Sequence, residues 1–382
     1  MSLPVPDPAA LQHSAKLSEH IRATISANGG WLSFARYMEL ALYAPGLGYY
    51  TAGAHKFGEA GDFITAPELS PLFGRSLARP LAEIMHATRP QILELGAGSG
   101  KLAADILGEL EQLGQLPEHY RILEVSADLR ERQRLLLQQR VPHLLPRVAW
   151  LDSLPEVIEG VVFGNEVLDA LPVNLIHWQD GQLLERGVAV SDAGFFWQDR
   201  PIAEPALLQA AQQIAVPDDY LSELCPAARG LVNSLAQRLQ AGVLLFIDYG
   251  FGVREFYHPQ RRRGTLMCHY RHHAHDDPFY LPGLQDITAH VDFTAVAEAG
   301  IDAGLTLLGY TNQAFFLMNC GIAEFLQSAD PEDLRAYAPL AAQLQKLTSP
   351  AEMGELFKVI ALGKNIEIPL RGFALGDLSH TL

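Results

Sequence analysis

The chain has 382 residues, of which 48% are hydrophobic, and a formal net charge of −16. Its length allows a large buried core, and its acidity argues against a general nucleic-acid binder, because contacts to phosphates need a basic face. Three widely spaced cysteines, Cys225, Cys268 and Cys320, exclude a disulfide framework and a CxxC zinc site and indicate a reducing compartment.

The amino-terminal residues contain no apolar signal core and no Arg-rich presequence, and no apolar run approaches membrane-spanning length. We therefore expect a cytoplasmic protein without membrane insertion. Helical periodicity predicts three helices in the first 90 residues, over 9–28, from Trp31 to the break at Pro45, and over 71–88. A Gly- and Tyr-rich loop joins the second of these helices to the third.

From residue 91 onward, short β-branched or Leu-rich runs alternate with helical patterns. The predicted strands cover 91–95, 120–125, 148–151, 161–165, 243–250, 305–311 and 357–363. This alternation predicts an α/β fold with a Rossmann-like, doubly wound, mostly parallel sheet. An insert at about 174–240 separates the fourth strand from the fifth, with a hairpin around Asp180-Gly181 and a turn near 191–194, and we expect it to shape a substrate pocket.

The first strand of this sheet ends in a glycine-rich loop, Glu94-Leu-Gly96-Ala97-Gly98-Ser-Gly100-Lys101. Lys101 stands where a dinucleotide fingerprint needs its third glycine. An acid at Glu94 would repel a pyrophosphate but suits S-adenosylmethionine (AdoMet), which carries an ammonium and a sulfonium. We predict an AdoMet site here, with a purely structural glycine turn as the alternative.

The next two strand ends supply further candidate donor contacts. Glu124, followed by Val125 and Ser126, is placed to accept hydrogen bonds from ribose hydroxyls, a feature that alone fits NAD equally well. Asp152 and Ser153 follow the third strand, where an adenine amino group could be held. Together these positions predict a class I methyltransferase.

The stretch Gly164-Asn-Glu-Val-Leu-Asp-Ala-Leu-Pro-Val173 places Asn165, Glu166 and Asp169 after the fourth strand. The carboxyl end of this strand faces the ligand crevice of a doubly wound sheet. Glu166 and Asp169 are therefore candidate catalytic residues, and Asn165 is a candidate for positioning Glu166 or the donor. The alternative is a solvated Glu166 and a helix-capping Asp169.

Four long segments, 61–74, 92–100, 163–173 and 286–300, resemble the MidA-type family of class I methyltransferases, as does 353–362. This family is related to the mitochondrial protein-arginine methyltransferase that assists assembly of respiratory complex I. The resemblance runs from about Trp31 to the carboxyl terminus. It implies AdoMet as cofactor, a protein substrate that includes a complex I core subunit among the candidates, and symmetric arginine dimethylation.

The expected domain division follows from the strand pattern and the resemblance together. Residues 1–75 form an amino-terminal helical cap and a donor-covering loop, and residues 76–382 form the methyltransferase domain. Within that domain lie the insert and further cap elements at about 251–300 and 312–352. The resemblance also places Asp62 and Thr65 at the methionine end of the donor and Glu68 towards the substrate.

Several polar or aromatic features remain open between functional and structural roles. Tyr49-Tyr50 could wall an arginine channel through cation–π contact or belong to the core, and Asp248 could touch substrate or only end a strand. The segment from Cys268 to His275 fits no common zinc spacing, so we expect no metal there and a polar loop at the rim of the cleft.

Two other functions compete with protein-arginine methylation. A small-molecule methyltransferase could use the same crevice, and an assembly factor could bind AdoMet and a partner protein without catalysis. The sequence leaves the oligomeric state open, with a homodimer among the options.

Overall fold

The computed structural model describes residues 3–52, 65–327, 330 and 332–382. The chain forms two compact units, each built from three separate segments. Unit 1 comprises Met1–Phe63, Asp169–Gly230 and Val253–His290, and unit 2 comprises Ile64–Leu168, Leu231–Gly252 and Val291–Leu382. These bounds differ from the expected division at residue 75, and the domain functions assigned from the sequence remain predictions.

The elements are numbered in chain order. The α-helices are α1 (Pro8–Ala27), α2 (Phe34–Tyr43), α3 (Ala66–Leu69), α4 (Pro71–Ala87), α5 (Lys101–Gln112), α6 (Ala127–Arg140), α7 (Pro205–Gln212), α8 (Pro226–Arg238), α9 (Val253–Phe256), α10 (Phe293–Asp302), α11 (Gln313–Asn319), α12 (Ile322–Gln327) and α13 (Leu334–Thr348). Among the described residues, none of these helices has the length and apolar character needed to cross a bilayer.

The strands of the described residues are shorter on average than the helices and fall into three sheets. They are β1 (Leu32–Ser33), β2 (Gln91–Leu95), β3 (His119–Leu123), β4 (Val148–Leu151), β5 (Ile158–Asn165), β6 (Asn174–Gln179), β7 (Gln182–Ser191), β8 (Gly194–Pro201), β9 (Tyr220–Leu224), β10 (Leu239–Phe251), β11 (Met267–Tyr270), β12 (His273–His275), β13 (Asp286–Thr288), β14 (Val291–Asp292), β15 (Thr306–Asn312) and β16 (Phe357–Lys364).

Unit 2 is built on one sheet with strand order β4-β3-β2-β5-β10-β16-β15. The five strands from β4 to β10 pair in parallel, whereas β16 runs antiparallel between β10 and β15. The apolar residues of the central strands are buried on both faces, as in sheets covered by helices on each side. The predicted α/β fold with a mostly parallel sheet is confirmed.

The strand order reverses between β2 and β5, which are neighbours although two strands separate them along the chain. In doubly wound sheets ligands bind outside the carboxyl ends of the strands at such a switch point. At the opposite edge of the sheet, β5 and β10 are tightly packed, because a Cβ on Gly242 would lie 1.9 Å from the carbonyl oxygen of Gly160. Glycine in β10 therefore allows close approach at the edge away from the predicted site.

Unit 1 contains a sheet of order β1-β7-β6-β9, with β8 paired to β7. The predicted hairpin at Asp180-Gly181 joins β6 to β7, and both residues have positive φ, 51° and 71°, as a type I′ turn requires. The helix predicted from Trp31 begins only at Phe34. The reason is a long-range pairing of β1 with β7, which draws Leu32 and Ser33 into the sheet.

Aromatic rings from distant parts of the chain meet in the core of unit 1. Phe34 and Tyr37 of α2 are fully buried. The ring of Trp197 lies 5.2 Å from that of Phe34 and 4.7 Å from that of Phe279, measured between centroids. The segment from Cys268 to His275, predicted as a loop, instead forms the β11–β12 hairpin, with Cys268 opposite His275.

Candidate active site

The glycine-rich loop follows β2 and leads into α5. Its three glycines all have positive φ, with values of 61° at Gly96, 53° at Gly98 and 85° at Gly100. This left-handed backbone favours glycine, because a Cβ there approaches the following carbonyl. A Cβ on Gly98 would meet nothing within 4 Å, whereas one on Gly100 would lie 3.0 Å from Gln133 Cα. The loop is therefore packed against α6 at its end and open at Gly98.

A buried amide on α6 links the loop to two neighbouring strand ends. Gln133 is fully buried, and its Nε2 donates to Gly98 O at 2.9 Å and to Glu124 Oε2 at 3.1 Å. Its Oε1 accepts a hydrogen bond of 2.8 Å from Trp150 Nε1. The sequence analysis missed this residue. The available signal was its spacing of four residues from Leu137, which places both side chains on the same buried face of α6.

Glu94, which the sequence placed near the cationic donor, is 2% exposed at the end of β2. Tyr120 Oη donates to its Oε2 at 2.7 Å. Burial raises the pKa of Glu94 from 4.5 to about 8, while the Tyr120 hydrogen bond lowers it and the charge of Glu124 raises it. Burial therefore favours the protonated form of this acid, and a nearby cation would help to ionise it.

Glu124 lies just beyond β3 and is 5% exposed. Its Oε1 accepts from the backbone N–H of Ser126 at 2.9 Å, and Ser126 caps α6. Burial raises the pKa of Glu124, against these hydrogen bonds. A carboxylate has about four lone-pair sites, so the bonds from Ser126, Gln133 and the backbone of Val125 leave capacity for a ribose hydroxyl. Val125, by contrast, is 69% exposed.

The predicted adenine contacts lie at the surface. The Asp152 side chain is 91% exposed, and its Oδ1 pairs with Arg130 Nη1 at 2.7 Å. Arg130 also donates to Leu151 O and to Glu124 O, both at 2.7 Å. It thereby ties the ends of β3 and β4 together. Ser153 is exposed beside Asp152, and an adenine contact by either residue stays a prediction.

The end of β5 presents Glu166, a predicted catalytic residue, and Asn165, which is predicted to position Glu166 or the donor. Glu166 has φ of 52°, although it is not glycine, and its N–H donates to Ile247 O at 2.9 Å. Such a conformation costs roughly 1–2 kcal/mol and persists only where the surroundings enforce it. Asn165 Nδ2 donates to Glu166 Oε1 at 3.0 Å, and the positioning role of Asn165 stays a prediction.

Asp248, at the end of β10, lies beside this turn but does not face solvent. It is 1% exposed, and its Oδ2 accepts from the backbone N–H groups of Val167 at 3.1 Å and Leu168 at 2.9 Å. Its Oδ1 accepts from Tyr249 N at 3.0 Å. Of the two roles left open for Asp248, the structure favours the one at the strand end over contact with substrate.

The residues that precede α4 are attached to the glycine-rich loop. Ser99 Oγ donates to Glu68 Oε1, and Lys101 Nζ donates to Pro67 O and, at 3.0 Å, to Asp105 Oδ2. Glu68, which was predicted to face the substrate, thus contacts the glycine-rich loop. Thr65 occupies the N-cap position of α3. Asp62 lies outside the described residues.

Asp169 and Tyr50 belong to unit 1. The Asp169 side chain is buried, and its backbone carbonyl accepts from Ala289 N at 3.0 Å. Tyr50 Oη donates to Asp286 Oδ1 at 2.9 Å, and its ring lies 5.0 Å from that of Tyr49. Burial raises the pKa of Tyr50 well above 10, and the charges of Asp286 and Asp169 add to this effect.

The residues at the carboxyl ends of β2, β3 and β5 fit AdoMet. The space over Gly98 is open, and two acids, Glu94 and Glu124, line the loop, which suits a cation without phosphates. Asn165 Oδ1 is buried and accepts no hydrogen bond from any described residue. Leu95 pairs with Gly164 in the β2–β5 ladder, so this acceptor lies at the switch point beside the start of the glycine-rich loop.

Comparison with known proteins agrees with this geometry. A family model described as "Putative S-adenosyl-L-methionine-dependent methyltransferase" matches residues 76–311. The chain belongs to this methyltransferase family. AdoMet is the cofactor of the family, so the predicted cofactor is confirmed, as is the resemblance stated from the motifs.

Similarity to known proteins covers most of the length of this methyltransferase. It is 31% identical to the mouse "Protein arginine methyltransferase NDUFAF7, mitochondrial", covering 93% of this chain and 86% of that protein, and 32% identical to the cattle protein, covering 93% and 85%. A solved structure of a COG1565 superfamily member from Burkholderia thailandensis, bound to S-adenosyl-homocysteine, is 52% identical over 100% of both chains, with a TM-score of 0.96.

Proposed function

We propose that this methyltransferase acts on protein arginine and that Glu166 receives the guanidinium. The observation that carries the proposal is the Glu166 carboxylate at the switch-point end of β5, oriented by Asn165 Nδ2 at 3.0 Å on a left-handed backbone. The names of the mammalian relatives support the arginine acceptor. No phosphate or metal chemistry is needed at this carboxylate.

The chemistry explains why a carboxylate belongs there. An arginine guanidinium has a pKa above about 12, so it arrives protonated and is a poor nucleophile. Bound AdoMet would supply an electrophilic methyl carbon, whose bond to the sulfonium sulfur breaks as the N–C bond forms, with S-adenosylhomocysteine as the leaving group. Glu166 orients the guanidinium through charge-assisted hydrogen bonds and accepts the proton that leaves as the N–C bond forms. Asp169 is proposed as the second carboxylate that holds the guanidinium.

The donor is proposed to lie over the glycine-rich loop. Gly96, Ala97, Gly98 and Gly100 would approach it with their backbone, Glu94 would face its cationic end, and Glu124 with Val125 and Ser126 would bind the ribose. Asp152 and Ser153 at the adenine, and Asp62 and Thr65 at the methionine end, complete the proposed set. Asn165 Oδ1, a buried acceptor, is available to a donor group of either ligand.

The test uses purified protein, tritiated AdoMet and extract from a strain that lacks this gene. Labelled proteins are separated by size, hydrolysed and analysed for methylated arginine. We expect a labelled protein band whose label is in methylarginine, and we expect Glu166→Gln to lower the rate at least 100-fold, the size of effect typical of a general base. Glu159→Gln, on the same strand and paired with Arg89, serves as the control and should keep the wild-type rate.

The outcomes separate the three functions. Label confined to small molecules would instead identify a metabolite methyltransferase. Binding of S-adenosylhomocysteine without any transfer of label would support the assembly factor. A wild-type rate in Glu166→Gln would refute the assigned catalytic residue, whichever acceptor is found.

We further propose that a core subunit of respiratory complex I is an acceptor and that the product is symmetric dimethylarginine. The support is the family resemblance of residues 61–74 and 163–173. The mass of that subunit should be lower in a deletion strain by whole methyl increments, and antibodies to symmetric dimethylarginine should lose their signal. Identical masses in the two strains would exclude this substrate.

A further inference from the structure

The turn after β5 is shaped by its neighbour β10. Glu166 N–H donates to Ile247 O at 2.9 Å, which continues the parallel ladder by one residue. The next two N–H groups, of Val167 and Leu168, converge on Asp248 Oδ2 at 3.1 and 2.9 Å. Three successive backbone amides are therefore bonded to two successive residues of β10.

Convergent backbone N–H groups form a concave anion site, and here a carboxylate of the chain fills it. Asp248 is 1% exposed, so water does not compete for these bonds. A left-handed Glu166 would relax towards an ordinary backbone if the amides that follow it were released. The carboxylate and the positive φ of 52° are thus parts of one arrangement.

We propose that Asp248 is a positioning residue for methyl transfer, holding the backbone turn that presents the Glu166 carboxylate. This inference rests on the proposed catalytic role of Glu166. Asp248 itself touches neither substrate nor donor in this proposal, and it acts through the Val167 and Leu168 amides.

The test replaces Asp248 by Asn and by Ala and measures protein-bound tritium transferred from AdoMet in the deletion-strain extract. An Asn side chain can accept either the Val167 and Leu168 amides or the Tyr249 amide, because its second terminal atom is a donor. We expect Asp248→Asn to lower the rate on the order of 10- to 100-fold, the effect of a displacement near 1 Å. The dissociation constant of S-adenosylhomocysteine should change less than about twofold.

A double-mutant cycle separates positioning from general stability. If Asp248 acts through Glu166, Asp248→Asn should cost little when Glu166 is already Gln or Asp, because residues that act as one unit are not additive. Equal losses in the wild-type and both Glu166 backgrounds would overturn the proposal. A wild-type rate in Glu166→Gln would instead refute the catalytic role of Glu166 on which this inference rests, so the two failures are distinguishable.

Two further measurements keep the inference testable if Asp248→Ala does not fold. Hydrogen exchange at the amides of Val167 and Leu168 should rise in Asp248→Asn, and unchanged exchange there would contradict the proposed contact. Asp377→Asn is the matched control, because Asp377 Oδ1 also accepts two backbone amides in unit 2, from Tyr310 and Ser379, at 3.1 Å each. It should keep wild-type methyl transfer.

Discussion

Glu94 illustrates how one buried acid can link ligand binding to pH. Its carboxyl group, hydrogen-bonded to Tyr120, has its pKa raised from 4.5 to about 8, chiefly by burial. Between pH 4.5 and about pH 8, the unfolded chain has lost this proton while the folded protein keeps it. The folded state therefore loses stability as pH rises through this window, by up to about 1.4 kcal/mol per pH unit.

Replacing Glu94 by Gln should remove this dependence. A neutral amide can still accept the Tyr120 hydrogen bond, so the variant should be more stable than wild type at pH 8, on the order of a few kcal/mol, and similar to it near pH 4. Urea unfolding at several pH values between 5 and 8 measures the slope. Glu118 is exposed in the same unit, so Glu118→Gln should leave the slope unchanged. A slope in Glu94→Gln equal to that of the wild type would contradict the assignment of this pH dependence to Glu94.

At the scale of elements, α6 fastens the glycine-rich loop to β3 and β4 through the Gln133 amide. Gln133→Leu would leave Gly98 O, Glu124 and the Trp150 indole without this partner. We expect a loss of roughly 2–4 kcal/mol in the free energy of unfolding. The affinity for S-adenosylhomocysteine should fall on the order of tenfold, equivalent to about 1.4 kcal/mol.

Gln138→Leu provides the comparison on the same helix, because Gln138 is exposed. It should change the free energy of unfolding by less than about 0.5 kcal/mol and leave binding unaltered. Denaturant titration and calorimetric titration with S-adenosylhomocysteine measure both quantities. Equal effects of the two substitutions would show that the buried amide contributes nothing specific.

The accuracy of the sequence predictions also varies between elements for physical reasons. β2 and β4 were predicted to the residue, because short apolar runs bounded by polar or Gly/Pro residues carry their own signal. β1 and β14 were missed, since each has two residues and exists only through a distant partner, β7 or β10. Strand pairing of this kind leaves no local pattern.

The candidate site shows the same division. Glu94, Glu124 and Glu166 were singled out because each lies at, or directly after, the end of a predicted strand, and strand ends in a parallel sheet meet at one edge. Gln133 was missed, and Asp248 was left between two roles, because their contacts arise from the packing of α6 and from the register of β10 against β5. The hydrophobic periodicity of a sequence indicates which face of an element is buried, but it does not identify the hydrogen-bond partners of a buried side chain.

At the scale of the whole molecule, the chain passes between the two units five times, after residues 63, 168, 230, 252 and 290. Neither unit is a continuous stretch, so unfolding one would release the ends of loops that the other holds closed. We expect one cooperative thermal transition, detected at the same temperature by near- and far-ultraviolet circular dichroism.

Ligand binding sharpens this prediction. S-adenosylhomocysteine at about 100 times its dissociation constant should stabilise the folded protein by about 2.7 kcal/mol and shift the whole transition. Two separated transitions, of which only one responds to the ligand, would show that the units unfold independently.

The core of unit 1 has a consequence for biosynthesis. Phe34 of α2 packs in the same cluster as Ile287 of β13, about 250 residues later in the chain. At roughly 5–20 residues per second, a ribosome needs on the order of 10 to 50 seconds to supply the second after the first. During that interval α2 has left the exit tunnel with only part of its native cluster available, so nascent chains of this protein should be clients of chaperones that bind exposed apolar helices.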